Sequence, residues 1–479
     1  MKKTNLLALC LFTILIFSCA VTKNDRSEIR TSQYFAKISA EKDIAKLNFF
    51  FTQMPKGGDI HHHYSGAIYA ETFLDWACAE NYFIDLKSFK LSKVKSKNTI
   101  SIEQLKQKPI LYRQVIATWS DLNYENYFAD NLAPDLKFFS TFGYFGPISK
   151  DFISGLNQIK QRAIEENVQY IETMLFSPKI NFNSKEFNFH NVNFNFSYED
   201  TLNLYSNFRE IANTISSSKY FKSEIQKYIN LVNTIHRNID DSLFTMRFQT
   251  YSTRNKEPIK VFTSLFSSFY VAANSSFIVG VNIVGPENGL VALKDYKLHM
   301  FMFRFLKKLF PNVKTAMHAG ELRMGLVKPE DLKFHVHDAV FVANANRIGH
   351  GVDIPYENSA RNIFSKMRND SIAVEINLTS NEFILGVKNN HHPIKLYSDA
   401  KVPIVISTDD AGVSRNNLTT EYAKLASRYH FTYKEIKNFV YNSIKFSFLS
   451  KKEKRILINK LNKKFKQFER KISEFILVK

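Results

Sequence analysis

Short apolar runs recur along the chain at intervals that suit a repeating strand and helix unit. In order they are DIHHH from Asp59, VQYIETML from Val168, SLFTMRFQTY from Ser242, FIVGVNIVG from Phe277, VKTAMHAGE from Val313, RIGHGVDI from Arg347, IAVEINLTSN from Ile372 and VPIVISTDD from Val402. Between most of them lie stretches with helical periodicity, such as DYKLHMFMFRFLKKLF and SARNIFSKMRN, so strands and helices alternate as in a parallel β/α architecture. Eight such runs predict a closed (β/α)₈ TIM barrel of class α/β, occupying residues 46–479.

Several segments depart from an idealised barrel. The interval between the first two runs is long. It contains helical material in LSKVKSKNTISIEQLKQKPILYRQVIATW and APDLKFFSTFGYFGP, so a stretch of about 80–165 reads as an inserted helical subdomain or lid. KINFNSKEFNFHNVNFNFSYED, about 179–200, is rich in Asn and Phe without a convincing period, and reads as a long loop or an added hairpin. At the other end, KKEKRILINKLNKKFKQFERKISEFILVK is an amphipathic basic helix with Ile456, Leu457, Leu461, Phe465, Phe468 and Ile472 on roughly one face. Packing on the barrel is its default role, with partner or membrane binding the alternative. Residues 19–45 read as a polar tether running into a helix near Ile44, Leu47 and Phe51, which Pro55 and Gly57-Gly58 end.

Composition narrows the partners. With 479 residues and 44% hydrophobic content the chain can bury a large core and is not a disordered protein. The net charge of +20 is spread along the chain, and no compact basic run with interleaved aromatics stands out, so a specific nucleic-acid partner is not expected. Anionic membrane surfaces or polyanions stay open as loose partners.

The N-terminus carries an address. MKKTNLLALCLFTILIFSCA has Lys2 and Lys3, an apolar run too short to span a bilayer comfortably, and a small residue before Cys19. Ile16-Phe17-Ser18-Cys19 resembles a bacterial lipoprotein processing site, which implies a signal peptide over 1–18, cleavage before Cys19 and lipid on its thiol. The expectation is an exported, membrane-anchored lipoprotein facing the periplasm or the exterior. Phe17 fits that pattern poorly; an ordinary cleaved signal, giving a soluble secreted protein, and a retained anchor helix are the alternatives. Cleavage would also remove Cys10 and leave only Cys19 and Cys78, so no disulfide framework is available and core packing must hold the fold.

Candidate chemistry gathers at the strand ends. In a strand alternate side chains share a face, so His61 and His63 point together while His62 turns away, toward a core or loop hydrogen bond. His318 closes the fifth run, His350 the sixth, and Asp409 with Asp410 the eighth. A lone strand-end histidine is usually a packed core residue, and an Asp-Asp pair is more often a cap or turn. Four such placements on the rim where barrels keep their reactive groups point instead to one site. Nitrogen and carboxylate donors without a rim cysteine favour Zn²⁺ or a similar divalent ion, and hydrolytic chemistry through water of lowered pKa.

The set DIHHHYSGA, GPE, HAGE, RIGHG and STDD, in this order and at these separations, resembles the adenosine deaminase family of metal-dependent hydrolases, and in particular its longer secreted members. Weaker agreement runs through YIETMLFSP, VEINLTSN, HPIKLYSDAKVPIVISTDD and NSIKFSFLSKKEK, so the resemblance covers most of residues 55–455. It implies one Zn²⁺ per chain held by His61, His63, His318 and Asp409. It implies further that Glu321 protonates purine N1, that His350 orients and deprotonates the metal-bound water, that Asp410 contacts N7 and helps hold the hydroxide, and that the Gly285 backbone donates to N3. His63 also lies against the substrate in that scheme. A neutral Glu321 needs a raised pKa, which burial supplies.

Two residues depart from the family pattern. Ser65 stands where the shorter classical members carry an aspartate that meets the ribose 5′-hydroxyl, and Asn282 replaces an acidic residue common in the fourth strand. The expected activity is conversion of adenosine and 2′-deoxyadenosine to inosine and deoxyinosine with release of ammonia. The alternatives are a deaminase of another aminopurine such as adenine or AMP, and a secreted nucleoside-binding or growth-factor-like protein without turnover. The resemblance also allows a homodimer.

Overall fold

Strands that are buried on both faces must pair along both edges, and the eight apolar runs do so. The computed structural model describes residues 26–122, 132–184 and 201–477, together with 186, 187, 189 and 194. The barrel strands, numbered in chain order, are β1 Gly57–His63, β2 Val168–Met174, β3 Thr245–Thr253, β4 Ile278–Val284, β5 Lys314–Ala319, β6 Arg347–His350, β7 Ala373–Ile376 and β8 Ile404–Ile406. They lie side by side in sequence order as one eight-stranded sheet. The ladders are parallel, with Tyr170 opposite Thr245, Ala319 opposite His350 and Val374 opposite Ile404. Every residue of β2, β6, β7 and β8 is buried, as expected of a parallel sheet wrapped in helices. The fold is a (β/α)₈ barrel.

The barrel closes between β1 and β8 through a single bridge of His62 with Asp409. His63 N–H donates to the Asp409 carbonyl at 3.2 Å, and Asp409 N–H donates to the His61 carbonyl at 3.0 Å. The seam of the barrel therefore runs through residues singled out for their chemistry.

Two expectations about the flanking segments change. The stretch read as a polar tether is helical over 26–40, where Phe35 and Ile38 are buried. A second helix follows at Ile44–Gln53, capped by the Asp43 side chain and burying Leu47, Phe50 and Phe51. The charged residues that suggested a tether cover the outer face of the first helix. The insertion is not purely helical: it opens with a three-stranded antiparallel sheet, Phe83–Asp85, Leu91–Ser92 and Thr99–Ser101, before its helices. Short strands with Lys and Ser at alternate places carry too little apolar signal to be read from sequence. The signal segment 1–18 and Cys19 lie outside the described residues, as does most of the Asn/Phe-rich stretch. Among the described residues no helix is long and apolar enough to cross a membrane.

The basic C-terminal helix, Lys451–Leu477, packs on the barrel with Leu457, Leu461, Phe465, Phe468 and Ile472 buried, whereas Ile456 is half exposed. Phe468 meets Phe50 edge-on with ring centroids 5.1 Å apart, so the two ends of the chain share one apolar layer. Phe468→Ala is expected to destabilise the protein by about 3 kcal/mol, read as a lower denaturant midpoint; an unchanged midpoint would mean that this helix is not part of the cooperative unit.

Candidate active site

At the end of β1 the strand period separates three consecutive histidines. His62 turns outward, where its Nδ1 lies 2.9 Å from Thr173 Oγ1; burial lowers its pKa to about 3, so it is a neutral core hydrogen-bonding residue. His61 and His63 face the barrel axis. His61 Nδ1 lies 2.6 Å from Glu375 Oε2, so Nδ1–H donates to that carboxylate and the Nε2 lone pair is left pointing inward. Gly349 of β6 is what makes room: a methyl group there would come within 2.6 Å of His61 Cε1.

His318, at the end of β5, is fixed in the same sense by a longer chain. Gln249 Nε2 donates to Glu172 Oε1 at 2.9 Å, Asn282 Nδ2 donates to Gln249 Oε1 at 3.1 Å, and Asn282 Oδ1 accepts from His318 Nδ1 at 2.9 Å. The Ile283 N–H also donates to Asn282 Oδ1, at 2.8 Å, which confirms which end of the amide is the oxygen. His318 Nε2 is thus a lone pair, 3.2 Å from His63 Nε2. Asn282, a departure from the family pattern, serves here as the neutral acceptor that orients this histidine.

Asp409 completes the group. Its Oδ1 lies 3.4 Å from His61 Nε2 and 3.2 Å from His63 Nε2. Burial works against its charge, but the surrounding histidines prevail and hold its carboxyl well below the usual range. Donor atoms 3.2 to 3.4 Å apart match the edge of a tetrahedron with metal bonds of about 2.0 Å, which is about 3.3 Å. The buried His61 Nε2 has no hydrogen-bond partner. Inward lone pairs, an ionised carboxylate and an orphaned nitrogen are the requirements of a divalent cation with N and O ligands, so the residues present fit Zn²⁺.

His350, after β6, is set differently. Ile394 N–H donates to His392 Nδ1 at 3.2 Å, so His392 Nε2 carries the proton and donates to Asn381 Oδ1 at 3.1 Å. The Asn381 amide nitrogen must then donate to His350 Nδ1, at 2.9 Å. His350 is therefore the Nε2–H tautomer, and that N–H points into the site, 3.8 Å from Asp409 Oδ2, with no other partner. Of the two tasks expected of His350, orienting water suits this tautomer. Deprotonating it does not, because the inward nitrogen already holds its proton.

Glu321 and Asp410 are the remaining reactive groups. Glu287 accepts from the backbone N–H groups of Gly320 and Glu321 at 3.1 and 2.9 Å, clamping the turn after β5. Glu321 Oε1 lies 3.7 Å from His350 Nδ1. Burial, then the charges of Asp409 and Glu287, push its carboxyl well above the usual range, which keeps it protonated at neutral pH. Burial and the adjacent Asp409 push Asp410 upward in the same way. A methyl group at Gly66 would overlap Asp410 Oδ1 at 1.4 Å, so the glycine of the first motif exists to admit this carboxylate.

A family sequence model described as adenosine deaminase matches residues 241–464 of this chain. The adenosine deaminase of Clostridium kluyveri is 29% identical over 189 residues, 39% of this chain and 48% of that protein. That of Clostridium acetobutylicum is 30% identical over 151 residues, 31% of this chain and 42% of the relative. Over this stretch the chain is similar to the adenosine deaminase family. The matched stretch spans about half the length of these relatives. Two solved structures share the fold: the N6-mAMP deaminase of Arabidopsis, with TM-score 0.55, 17% identity and coverage of 86% of this chain and 99% of that one, and the adenine deaminase of Arthrobacter aurescens, with TM-score 0.54, 14% identity and coverage of 85% and 98%.

The structure brings the expected residues together as two overlapping groups of candidate donors that share Asp409, one of His61, His318, His350 and Asp409 and the other of His63, Asp409 and Asp410, with Glu321 beside His350. Gly285 follows β4 on the same rim with φ +96, a conformation that suits glycine. Glu375, Glu172, Gln249, Asn381, His392 and Glu287 were not legible as functional. Five of them lie in motifs that carry the resemblance, Glu172 in YIETMLFSP, Glu287 in GPE, Glu375 and Asn381 in VEINLTSN and His392 in HPIKLYSDA, but the motifs alone assign them no role.

Two variants test this arrangement. Glu375→Gln is expected to weaken metal binding roughly 10- to 100-fold in a chelator competition, because the charge that makes His61 basic is lost. Asn381→Asp replaces the amide donor with an acceptor and forces His350 into the opposite tautomer. It is expected to lower kcat by roughly a hundredfold with little change in KM, and to move the His350 ring ¹⁵N resonances to the Nδ1–H pattern. Unmoved resonances would sink the tautomer assignment.

Proposed function

We propose that the protein is a hydrolytic, zinc-dependent deaminase of 6-aminopurine nucleosides, with adenosine and 2′-deoxyadenosine as its simplest substrates. The observation that carries this reading is the pairing of a buried carboxyl held protonated, Glu321, with an inward-facing cluster of His61, His63, His318 and Asp409 suited to a cation. A binding protein has no need for a buried neutral acid beside such a cluster.

C6 of an aminopurine is a poor electrophile until N1 gains a proton. The protonated Glu321 supplies it, and the C6 carbon becomes open to attack as the ring loses its aromatic protection. His61, His63, His318 and Asp409 would hold a Zn²⁺ ion, which when bound would lower the pKa of water toward neutrality. The His350 Nε2–H donates to the attacking oxygen and fixes its approach. Asp410, whose proton affinity is raised, accepts the proton that water releases, and once protonated it is a donor for purine N7. The C6–O bond forms, the hydroxyl hydrogen passes to the departing nitrogen, the C6–N bond breaks and ammonia leaves. N1 keeps its proton in the lactam product, and the proton on Asp410 restores Glu321.

Lys2, Lys3, the apolar run and Cys19 support export as a lipoprotein as the working location, read from sequence.

Glu321→Gln is expected to lower kcat/KM for adenosine by roughly 10² to 10⁴ while the bound metal stays stoichiometric. Chelation of the wild-type protein should abolish the ultraviolet change from adenosine to inosine, and added Zn²⁺ should restore it. Turnover that survives both treatments would overturn the mechanism.

A further inference from the structure

A second feature of the mouth is charged, open and adjacent to the reactive groups. A cavity of about 910 Å³, within the range of sites that hold whole small ligands, lies between the ends of β1, β2 and β3. Its wall begins at Tyr64 and Ser65, directly after His63, and continues to Tyr251. The Tyr251 phenol is pushed up by burial and by the nearby Asp410 carboxylate, and Gly66, beside Ser65, touches Asp410. Cavity and reactive site therefore share a wall.

The lining is strongly one-signed. It contains Lys150, Lys179, Lys227, Lys256 and Lys260 against one acidic residue, Glu224. Glu224 is paired with Lys227 at 2.7 Å, and Lys260 is paired with Glu257 at 3.0 Å. Lys150, Lys179 and Lys256 have no carboxylate partner among the described residues, so the field in the cavity is positive. Thr253, Thr263 and Ser264 add hydroxyl donors, and the cavity is also edged by the first turns of two helices, Phe152–Glu165 and Pro258–Asn274, whose dipoles favour an anion.

An aminopurine with C6 against the His/Asp cluster has N9 at the opposite edge of its ring system, so its sugar leaves toward the mouth. We propose that this cavity binds the phosphate-bearing end of the substrate, and that a purine 5′-mononucleotide is preferred to the free nucleoside. The proposal rests on the deaminase reading for the position of the base. Ser65 is consistent with it: a carboxylate at that point in the wall would repel a phosphate, and a hydroxyl can donate to one.

The test compares AMP with adenosine as substrates and IMP with inosine as ligands, the latter by calorimetry without turnover. The expected result is a kcat/KM for AMP at least about tenfold above that for adenosine at low salt, shrinking as ionic strength rises. The AMP-to-adenosine ratio should fall by about tenfold or more in Lys150→Glu/Lys256→Glu and in Ser65→Asp. IMP should bind more tightly than inosine, with the same dependence on these residues, and inorganic phosphate should compete with IMP. If adenosine is turned over as well as AMP, the proposal fails while the deaminase reading stands. If nothing is turned over but IMP outbinds inosine through these lysines, the phosphate site stands and the deaminase reading fails. Equal binding of IMP and inosine overturns the proposal whatever the activity.

Discussion

The buried guanidinium of Arg347 is the interaction on which the site depends. It is 1% exposed, in the interior of the barrel, and pairs with Glu375 and, at 2.6 Å, with Glu172. It also donates to the carbonyls of Ile60 and Phe446. Each carboxylate passes the orientation on: Glu375 to His61, and Glu172 through Gln249 and Asn282 to His318. Two inward lone pairs on two different strands are thus referred to one fixed cation. An unpaired charge at this depth would cost several kcal/mol, so removing any member leaves the others stranded.

The same accounting explains why a dication suits the barrel. Arg347 offsets only one of the three carboxylates Glu172, Glu375 and Asp409, while Arg254 lies 3.5 Å from Glu287 and offsets that charge. Glu321 holds its proton because burial and its acidic neighbours push it upward, while the raised proton affinity of Asp410 makes it a base. Carboxylates therefore outnumber the guanidinium that meets them around the histidines, an imbalance that a divalent cation held there would offset. The proton on Glu321 and the cation are therefore two parts of one electrostatic balance.

The strands and the reactive rim were legible because both are written in local signals. Apolar runs mark strands that are buried on both faces, and a histidine or aspartate at the end of such a run has only the rim to occupy. The supporting groups were not legible. Glu375 lies within a strand and His392 in a loop, and their meaning depends on which side chain from a distant segment faces them. Asn282 looked like a loss relative to the family pattern because sequence alone values charge. Its use lies in an amide oxygen whose direction is set two residues away in space. The helix at 26–40 escapes the sequence reading for a related reason: its charged face dominates the composition, while buried Phe35 finds its ring partners in Phe50 and Phe51 of the next helix and in the distant Tyr433.

Backbone strain links these levels. His350 and Asp409 have φ of 70 and 64, in the left-handed region that non-glycine residues seldom enter. Each sits where a barrel strand gives way to its loop, and each is held there by hydrogen bonds to another strand or loop: Asp409 by the seam with β1, His350 by the amide of Asn381. A relaxed strand end would continue the pleat and turn these side chains toward the wall of the barrel. Left-handed turns aim them instead into the mouth of the barrel, Asp409 at His61 and His63 of β1 and His350 at Asp409. The strain is sustained because the closure of the barrel passes through the same peptide units, so the residues cannot relax without opening the seam. Fold and site are then a single constraint: the hydrogen bonds that close the barrel are the ones that direct its carboxylate.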